Sequence, residues 1–311
     1  MIKPRALRIG DTIGLVAPSS PTSSERVYMA KAYINKMGFH VKLGKSCFET
    51  LGYLAGHDDT RAGDLVSMFA DREVDGILCL RGGYGVSRIL DKIDYNTIKE
   101  NPKLFIGYSD ITALHTVFNQ MCDLVTFHGP MAASNMSDEI DQFTIDSFFK
   151  TVTSNIPLGE LKNPVGDKIG CLVPGETSGE IIGGNLALIA GTLGTPYEID
   201  TKGKLLLIEE VNEEPYKVDR MLTQLALAGK LSDANGIILG DFRDCIPKEY
   251  ENSLTLIEVF RNTIAPFNKP TIHNLKAGHC SQKLTIPLGV KAKLIAHNGS
   301  GSLIIVERAA I

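Results

Sequence analysis

The chain of 311 residues has no tryptophan and only six cysteines, none of them in a CxxC pair. The cysteines are scattered, and several lie in apolar segments, as Cys79 does in Gly-Ile-Leu-Cys-Leu. A reduced thiol in such a segment behaves as a small hydrophobic side chain. The pattern therefore predicts reduced, buried thiols in a cytoplasmic protein.

The sequence also lacks a long apolar run and an excess of charge of one sign. No run approaches the roughly 18 apolar residues that a membrane span needs, and the start, Met-Ile-Lys-Pro-Arg, has no signal-peptide core. The 32 basic and 36 acidic residues are interspersed, without a basic stripe for nucleic acid or a polybasic arm for an anionic membrane. We therefore expect that neither nucleic acid nor a membrane is a partner.

What the first half does contain is a regular alternation of short apolar runs and amphipathic stretches. Strands and helices that alternate at this spacing indicate βαβ units and a mainly parallel sheet. The predicted strands are 11–18, 39–43, 75–80 and 104–107, and the predicted helices are 26–37, with Ser23 or Ser24 as its cap, 61–70, 86–93 and 111–121.

The second half begins with a stretch rich in glycine and proline, from Pro157 to Gly175, that has little periodicity. Such a stretch predicts a linker or a domain crossing. The elements predicted beyond it are strands at 179–184, 204–209 and 236–240, helices at 185–193 and 218–228, and a terminal hairpin that turns at 298–301. We therefore expect an α/β protein with an N-terminal α/β domain at 1–160, a linker at 161–178 and a β-rich C-terminal domain at 179–311.

Ser109 lies at the junction between an apolar strand and the helix that follows it. Ligand sites form at the carboxyl ends of parallel strands, and the free amides of a helix N-terminus stabilise a developing oxyanion. Gly107 and Ser109 match the G-x-S-x-G pattern of a nucleophile elbow, but Ile111 replaces the last glycine. Serine is also a favoured helix cap, and the local pattern by itself favours the cap over the nucleophile.

A second feature is Arg81-Gly82-Gly83-Tyr84-Gly85, directly after the third strand. Consecutive glycines let the backbone approach a ligand and turn its N–H groups toward it. The spacing does not fit a dinucleotide fingerprint, because Arg88 stands where the last glycine belongs. An oxyanion donor beside the serine and an ordinary tight turn both remain open.

A serine nucleophile needs a base and an acid that orients the base. His128 follows an apolar strand and His279 lies in a flexible loop, and spacing alone does not choose between them. His57 begins His-Asp-Asp, but no second ligand cluster accompanies it, so we expect no metal. Glu209 and Glu210 end an apolar run, and at most one of the two should face the site, because successive strand residues point to opposite faces.

Nine short motifs occur in order along nearly the whole chain. They are DTIGLVAPSSP at 11–21, GYLAG at 52–56, RGGYG at 81–85, GYSD at 107–110, FHGPM at 127–131, GGNL at 183–186, LIEE at 207–210, DRML at 219–222 and GHC at 278–280. Together they resemble the LD-carboxypeptidase family of serine peptidases, which also includes the microcin C immunity peptidases.

The resemblance implies a site that spacing alone does not define. It assigns a Ser-Glu-His triad to Ser109, Glu209 and His279, and an oxyanion hole to the backbone N–H groups of Gly83 and Asp110. It implies a flavodoxin- or amidotransferase-like N-terminal domain that carries the serine, and a smaller C-terminal domain that carries the acid and the base. Neither a metal nor an organic cofactor is required.

The resemblance also implies a substrate and an assembly. The expected reaction removes the terminal D-alanine from muropeptide tetrapeptides in peptidoglycan recycling, and a homodimer is expected. The substrate is then a small peptide whose free carboxylate must be held, for which Arg81 and Arg88 are candidates by position and charge. Tyr84 and His128 are further candidate substrate contacts.

Three other functions are compatible with parts of the sequence. The immunity branch cleaves aminoacyl or peptidyl sulfamoyl-nucleotides and is expected to stack an aromatic side chain, often tryptophan, on the base. The absence of tryptophan favours the cell-wall role, although Tyr or Phe can also stack. A nucleotide- or anion-binding module around 81–85 is the alternative from a different class. A cysteine-based amidotransferase-like enzyme is disfavoured, because Ser109 and not cysteine occupies the turn.

Overall fold

The computed structural model describes residues 1–137, 140–250 and 252–311, which form two compact units. Unit 1 consists of Met1–Ile156, Thr285–Leu288 and Arg308–Ile311, and unit 2 consists of Pro157–Leu284 and Gly289–Glu307. Unit 1 thus takes one short segment and the last residues of the chain from the C-terminal half. In the described part of the chain, no helix has both the length and the apolar character that crossing a bilayer demands.

Strands and helices are numbered in chain order through both units. The strands are β1 Thr12–Val16, β2 His40–Leu43, β3 Gly76–Cys79, β4 Leu104–Gly107, β5 Thr126–His128, β6 Gly159–Leu161, β7 Gly170–Val173, β8 Gly175–Asn185, β9 Leu205–Val211, β10 Gly236–Arg243, β11 Thr271–His273, β12 Ile286–Leu288, β13 Lys291–His297 and β14 Ser300–Ile305. The helices are α1 Ser24–Lys36, α2 Asp58–Ala70, α3 Tyr95–Glu100, α4 Thr112–Cys122, α5 Ala132–Asn135, α6 Gln142–Thr153, α7 Leu186–Gly191, α8 Pro215–Leu227, α9 Lys230–Asp233 and α10 Leu256–Thr263.

Unit 1 contains a six-stranded sheet in the order β2-β1-β3-β4-β5-β12. The first five strands are parallel, and β12 pairs antiparallel with β5. The order 2-1-3-4-5 is that of the flavodoxin-like doubly wound fold, in which ligands bind at the carboxyl ends of the strands where the strand order reverses, between β1 and β3. The predicted N-terminal domain with a mainly parallel sheet is confirmed.

The local sequence explains the elements that position the loops of unit 1. Strands β3 and β4 are short apolar runs that are buried along their whole length, as is typical of parallel strands covered by helices on both faces. Helix α1 begins where the Ser23 side chain accepts a hydrogen bond from the Arg26 amide at 3.3 Å. This cap is one of the two that the sequence predicts.

The prediction of a helix at 86–93 is wrong. The structure has two short 3₁₀ segments there, Val86–Arg88 and Leu90–Lys92. Asp94 then caps α3 by accepting hydrogen bonds from the amides of Asn96 and Thr97. Because this cap ends the segment after barely two turns, the chain takes the tighter 3₁₀ geometry that short connecting pieces favour.

Unit 2 contains an eight-stranded mixed sheet in the order β13-β8-β9-β10-β11-β7-β14-β6. Since β13 also pairs with β14, the sheet closes on itself as a barrel. Helices α7, α8 and α10 pack on it through a core that includes Leu186, Val218, Leu222 and Phe260. The predicted β-rich C-terminal domain is confirmed.

Turn residues explain two stretches of unit 2. The hairpin β13–β14 turns at Asn298 and Gly299, whose φ angles of 50° and 76° are typical of a two-residue type I′ turn. The stretch 161–178, predicted as a linker, contains β7 and the first residues of β8. Gly166 lies between β6 and β7, and Gly175 is the first residue of β8. Their φ angles are 96° and 144°, and turns at such positions interrupt the periodicity of the sequence.

Candidate active site

Ser109 lies two residues after the end of β4, in a strained turn of unit 1. Its φ of 65° is in the left-handed region, which residues other than glycine seldom occupy. Residues 109–111 form a 3₁₀ turn that leads into α4. Strain of this kind costs on the order of 1–3 kcal/mol, persists only where the surroundings hold it, and clusters at active sites. A sharp turn between a strand and a helix is the geometry of a nucleophile elbow.

The interpretation of Ser109 as a helix cap is wrong. The cap position is Tyr108 for the 3₁₀ turn and Ile111 for α4, and within the described structure neither has a side-chain cap hydrogen bond. The elbow also accommodates Ile111 in place of its last glycine. A Cβ on Gly107 would lie 2.8 Å from Cγ2 of Ile111, so glycine is needed at one of the two positions, and Gly107 supplies it.

The segment 82–86, here named the glycine loop, runs directly against Ser109. A Cβ on Gly82 would lie 2.8 Å from both Cβ and Oγ of Ser109 and 3.3 Å from the backbone nitrogen of Asp110. Gly83 has a φ of 118° and is exposed, and a Cβ there would collide with Oγ of Ser20. Glycine is therefore required at position 82 for the loop to approach Ser109 this closely, and at position 83 for it to approach Ser20.

The carboxylate of Asp110 ties the glycine loop to the elbow and to the segment after β1. Its Oδ2 accepts hydrogen bonds from Oγ of Ser19 at 2.7 Å and from the Val86 amide at 3.0 Å. Burial raises the pKa of Asp110, and these two hydrogen bonds oppose the rise. The Tyr84 amide donates to Oγ of Ser20 at 3.2 Å. The loops after β1, β3 and β4 thus form one hydrogen-bonded cluster at the carboxyl edge of the sheet.

In unit 2, Glu209 of β9 and His279 are joined by a short hydrogen bond. Nδ1 of His279 lies 2.7 Å from Oε2 of Glu209, whose side chain is fully buried, while the His279 side chain is 17% exposed. With the carboxylate as acceptor, Nδ1 carries the hydrogen and Nε2 is the basic nitrogen. Gly278 has a φ of 109°, and a Cβ there would lie 2.8 Å from Cγ and Cδ of Glu209. Only glycine lets the loop bring the imidazole this close.

Glu210 faces away from the imidazole and has a different set of partners. Its oxygens accept hydrogen bonds from Nδ2 of Asn185 at 3.0 Å and from the amides of Ala187 and Val211 at 2.8 Å. Burial raises the pKa of Glu210, and the bonds to Val211 and Asn185 oppose the rise. Glu210 therefore holds the start of α7, and the alternation of a strand separates its role from that of Glu209.

Asp241 is a carboxylate near this pair that the sequence reasoning missed. In the pairing of β9 with β10, Leu239 faces Ile208 and Phe242 faces Glu210, so that a bulge of Gly240 and Asp241 lies opposite Glu209. Burial raises the pKa of Asp241, while the charge of Lys276 opposes the rise. The signal that could have found it is an acid at the carboxyl end of the strand that neighbours the one ending in Glu209.

Tyr84 and Arg88, two of the candidate substrate contacts, are open to solvent in unit 1. The Tyr84 ring is in edge contact with the ring of Tyr53, with centroids 5.6 Å apart, and both side chains are exposed. Arg88 donates from Nε and Nη2 to the two oxygens of Asp58 at 3.1 and 2.9 Å. Asp58 thereby holds the guanidinium while part of it faces solvent.

The other two candidates have different surroundings in the same unit. Arg81 is half-buried and donates to the carbonyl oxygens of Pro21 at 3.1 Å and of Gly82 at 3.3 Å. His128 is 1% exposed, and its ring packs 6.0 Å from that of Tyr108. Burial therefore separates His128 from solvent, whereas Arg81 supports the glycine loop.

No group of three or more His, Cys, Asp or Glu residues is arranged to hold a metal ion in the described residues. Unit 1 instead contains a serine with backbone amides around it, and unit 2 contains an acid–imidazole pair. These are the components that acyl transfer by a serine nucleophile uses.

Comparison with known proteins bears on both units. Models of the LD-carboxypeptidase N-terminal domain and of the LD-carboxypeptidase C-terminal domain match residues 13–129 and 178–294. The chain is 45% identical over 294 residues to a probable murein peptide carboxypeptidase of Bacillus subtilis (strain 168), with 94% of this chain and 91% of that protein covered.

Solved structures agree with this comparison. An MccF-like protein from Bacillus anthracis str. Ames has a TM-score of 0.89 at 28% identity, covering 99% of this chain and 100% of the other. MccF is the microcin C7 self-immunity protein. A muramoyltetrapeptide carboxypeptidase from Oxalobacter formigenes has a TM-score of 0.84 at 27% identity, covering 95% of this chain and 99% of the other. With two family models matched over most of its length, the chain belongs to the LD-carboxypeptidase family of serine peptidases.

Proposed function

We propose that the protein is a serine LD-carboxypeptidase that removes the terminal D-alanine from muropeptide tetrapeptides in peptidoglycan recycling. The observation that carries the proposal is the hydrogen bond of 2.7 Å between His279 and the fully buried Glu209. A buried carboxylate on Nδ1 makes Nε2 a general base and stabilises the imidazolium that forms when Nε2 takes a proton. The names of the curated relative and of the solved carboxypeptidase support the substrate.

In the proposed mechanism, Nε2 of His279 takes the proton of the Ser109 hydroxyl, and Oγ attacks the carbonyl carbon of the scissile bond. The backbone N–H groups of Gly83 and Asp110 donate to the oxyanion that forms. The imidazolium then gives its proton to the leaving amine, so that D-alanine departs and an acyl-enzyme remains. His279 next activates a water molecule, which hydrolyses the ester and restores Ser109.

The strained turn supports the proposed role of Ser109. With a φ of 65°, the residue keeps its side chain beside the glycine loop, where the contact at Gly82 brings loop and hydroxyl together. The proposed donors Gly83 and Asp110 flank that contact. Preorganised donors of this kind contribute about 10²–10³ in kcat each, because they need no reorganisation when the charge develops.

A carboxypeptidase must also hold the free carboxylate of its substrate. We assign this role first to Arg88, because Asp58 fixes its guanidinium while N–H groups remain for a second carboxylate. Tyr84 lies next to Gly83 and is exposed, so it is the proposed apolar contact for the substrate. Arg81 and His128 are weaker candidates than these two, because Arg81 donates to backbone carbonyls and His128 is buried.

The decisive experiment compares the wild type with Ser109→Ala on a disaccharide tetrapeptide, with D-alanine release followed by mass spectrometry. We expect release by the wild type and a loss of at least about 10³-fold in the variant, because the nucleophile is gone. Ser24→Ala, an exposed serine of α1, is the matched control and should retain wild-type activity. Release that survives Ser109→Ala would refute the assignment of the nucleophile.

A second candidate function is that of the immunity branch, cleavage of aminoacyl or peptidyl sulfamoyl-nucleotides. The similarity to the MccF-like structure favours it, and so does the exposed pair Tyr53 and Tyr84, which presents aromatic rings on which a base could stack. The same assay with an aminoacyl-sulfamoyl adenosine separates the two functions. Hydrolysis of that compound without D-alanine release from the tetrapeptide would favour the immunity role.

We also infer a cytoplasmic location and a homodimer. All six cysteines are free thiols, and five of them are buried, which supports a reducing compartment. The homodimer rests on the family resemblance. Light scattering coupled to size-exclusion chromatography measures the assembly, and fractionation of the cells measures the location.

A further inference from the structure

Arg61 of α2 is a fully buried cation directly beneath the glycine loop. Its side chain has no exposed surface, which makes it the largest side chain buried to this degree among the described residues. Nη1 donates to the carbonyl oxygen of Gly85 at 2.8 Å and also to that of Pro18. Nη2 pairs with the carboxylate of Asp58. One guanidinium therefore joins α2, the segment after β1 and the glycine loop.

The contacts of Arg61 complete the set that holds the glycine loop. The Tyr84 amide binds Ser20, the Gly85 carbonyl binds Arg61, and the Val86 amide binds Asp110. Three successive residues after Gly83 thus each have a polar partner from another part of unit 1. Two of these partners are hydroxyl or carboxylate groups of neighbouring loops, and Arg61 is the one that belongs to a helix.

Burial of Arg61 costs free energy that apolar packing does not offset. A guanidinium keeps its charge in any environment, and removal of that charge from water is strongly unfavourable unless partners compensate it. Asp58 provides a counter-charge, but it also binds Arg88. Within the described residues, Nε of Arg61 has no hydrogen-bond partner. A buried polar group that is not fully satisfied calls for a reason beyond stability.

We propose that Arg61 is a positioning residue for the oxyanion hole, an inference that rests on the proposed function. Its guanidinium fixes the Gly85 carbonyl relative to Pro18, and thereby fixes the orientation of the Gly83 N–H two residues earlier in the same loop. Arg61 itself does not touch the substrate. It keeps the donor where the oxyanion forms, and a displacement of about 1 Å at such a donor costs on the order of 10²-fold in rate.

The test is Arg61→Lys, which retains the charge but lacks the planar fork that reaches two carbonyls and a carboxylate together. We expect kcat to fall about 10- to 100-fold while KM changes by less than about threefold, since the loss is confined to the transition state. Affinity for a peptide boronic acid, which forms a tetrahedral adduct with the serine, should fall by the same factor as kcat/KM. Amides 83–86 should exchange hydrogen faster.

The matched control is Arg5→Lys. Arg5 lies in the same unit and pairs with Asp11 and Asp75 at 2.9 and 2.7 Å, on the surface. It should retain wild-type kcat, boronate affinity and loop exchange. A folded Arg61→Lys variant with wild-type kcat and boronate affinity would overturn the proposal, whatever its melting temperature.

Gly85→Ala decides the question if Arg61→Lys does not fold. Gly85 has a φ of 136°, and a Cβ there would lie 2.7 Å from Nη1 of Arg61, so the substitution disturbs the same contact from the other side. A loss confined to kcat supports the proposal, and wild-type kcat overturns it. If the wild type releases no D-alanine, the proposed function fails by itself, and exchange of the loop amides in Arg61→Lys still tests the positioning role.

Discussion

Around Ser109 the functional groups belong to the backbone, whereas around His279 they belong to side chains. In unit 1 the decisive features are a φ of 65° at Ser109 and a glycine loop that carries no Cβ at Gly82 and Gly83. In unit 2 the decisive feature is one hydrogen bond between an imidazole and a buried carboxylate. The comparison implies that steric substitutions should damage the elbow most, and that removal of charge should damage the acid–imidazole pair most.

The histidines of the two regions differ in the same way. His115 of α4 is fully buried, and its Nε2 donates to the backbone carbonyl of Gly107 at 2.9 Å. It supports the strand end that leads into the elbow. His279 is partly exposed and pairs with a carboxylate instead. One histidine serves the backbone and the other is the proposed base, although nothing in their immediate sequence separates these roles.

Among the substitutions that test this comparison of the two units, Glu209→Gln is expected to lower activity most. The substitution preserves shape but removes the charge that stabilises the imidazolium, and loss of the triad acid in a serine peptidase lowers kcat by about 10⁴-fold. We expect a fall of about 10³- to 10⁴-fold in D-alanine release. Glu210→Gln is the matched control, because its oxygens bind Asn185 and backbone amides.

Glu210→Gln should lower the melting temperature and leave kcat within about threefold of the wild type, because it acts on the start of α7 and not on the imidazole. Steady-state kinetics and thermal unfolding of both variants measure the difference. If Glu210→Gln lost more activity than Glu209→Gln, the assignment of the two carboxylates would have to be exchanged.

An intermediate effect is expected for Gly82→Ala. The added Cβ would lie 2.8 Å from Cβ and Oγ of Ser109, so either the loop or the serine must move. We expect kcat/KM to fall about 10²-fold, as is typical of a misplaced catalytic group. The control is Gly63→Ala in α2, where a Cβ meets nothing within 4 Å.

Gly63→Ala should retain activity and should stabilise the helix by about 0.5–1 kcal/mol, because alanine loses less conformational freedom on folding. Steady-state kinetics and urea unfolding of the two variants distinguish a steric contact with Ser109 from the effect that any substitution of glycine by alanine has. Wild-type kcat/KM in Gly82→Ala would contradict the steric character of the elbow.

The smallest effect concerns pH and His115. Burial lowers the pKa of His115 from 6.5 to about 4, although the hydrogen bond to Gly107 opposes the shift. The folded protein therefore binds this proton more weakly than the unfolded chain does. The contribution of His115 to the free energy of unfolding is complete above about pH 6.5 and decreases as the pH falls toward 4, by up to about 3 kcal/mol.

Urea unfolding at pH 7, 6 and 5 measures this dependence. His115→Gln, whose amide can donate to the same carbonyl, should show a smaller decrease than the wild type over this range. His40→Gln, an exposed histidine of β2, should behave as the wild type does. Equal decreases in the wild type and in His115→Gln would show that the acid sensitivity comes from elsewhere.

Local sequence was sufficient for much of unit 1. The apolar runs of β3 and β4 and the glycines after β3 identify strand ends and tight turns from neighbouring residues alone. The prediction of a helix at 86–93 is wrong because Asp94 caps the next helix and thereby shortens the segment before it. The local preference for Ser109 as a helix cap is also wrong, because the φ of this residue depends on contacts with the glycine loop.

Arg61 and Asp58 show most clearly what local sequence does not predict. In the sequence Arg61 begins the predicted helix at 61–70 and Asp58 lies three residues before it, and charged residues at such a position are typical of a solvated surface. In the structure Arg61 is fully buried, and its guanidinium contacts residues 18 and 85, which are distant along the chain. Such contacts depend on which strands are neighbours in the sheet, and periodicity does not contain that information.

By itself, the sequence determined the alternation of strands and helices, the β-rich second half and the candidate motifs, because these depend on neighbours within a few residues. The tertiary structure decided that His279 pairs with an acid, and that this acid is Glu209, whereas Glu210 binds Asn185 and backbone amides. The register of β9 and the φ of Gly278 bring together two residues 70 positions apart. Sheet order and closure set such distances, and both arise only when the whole chain packs.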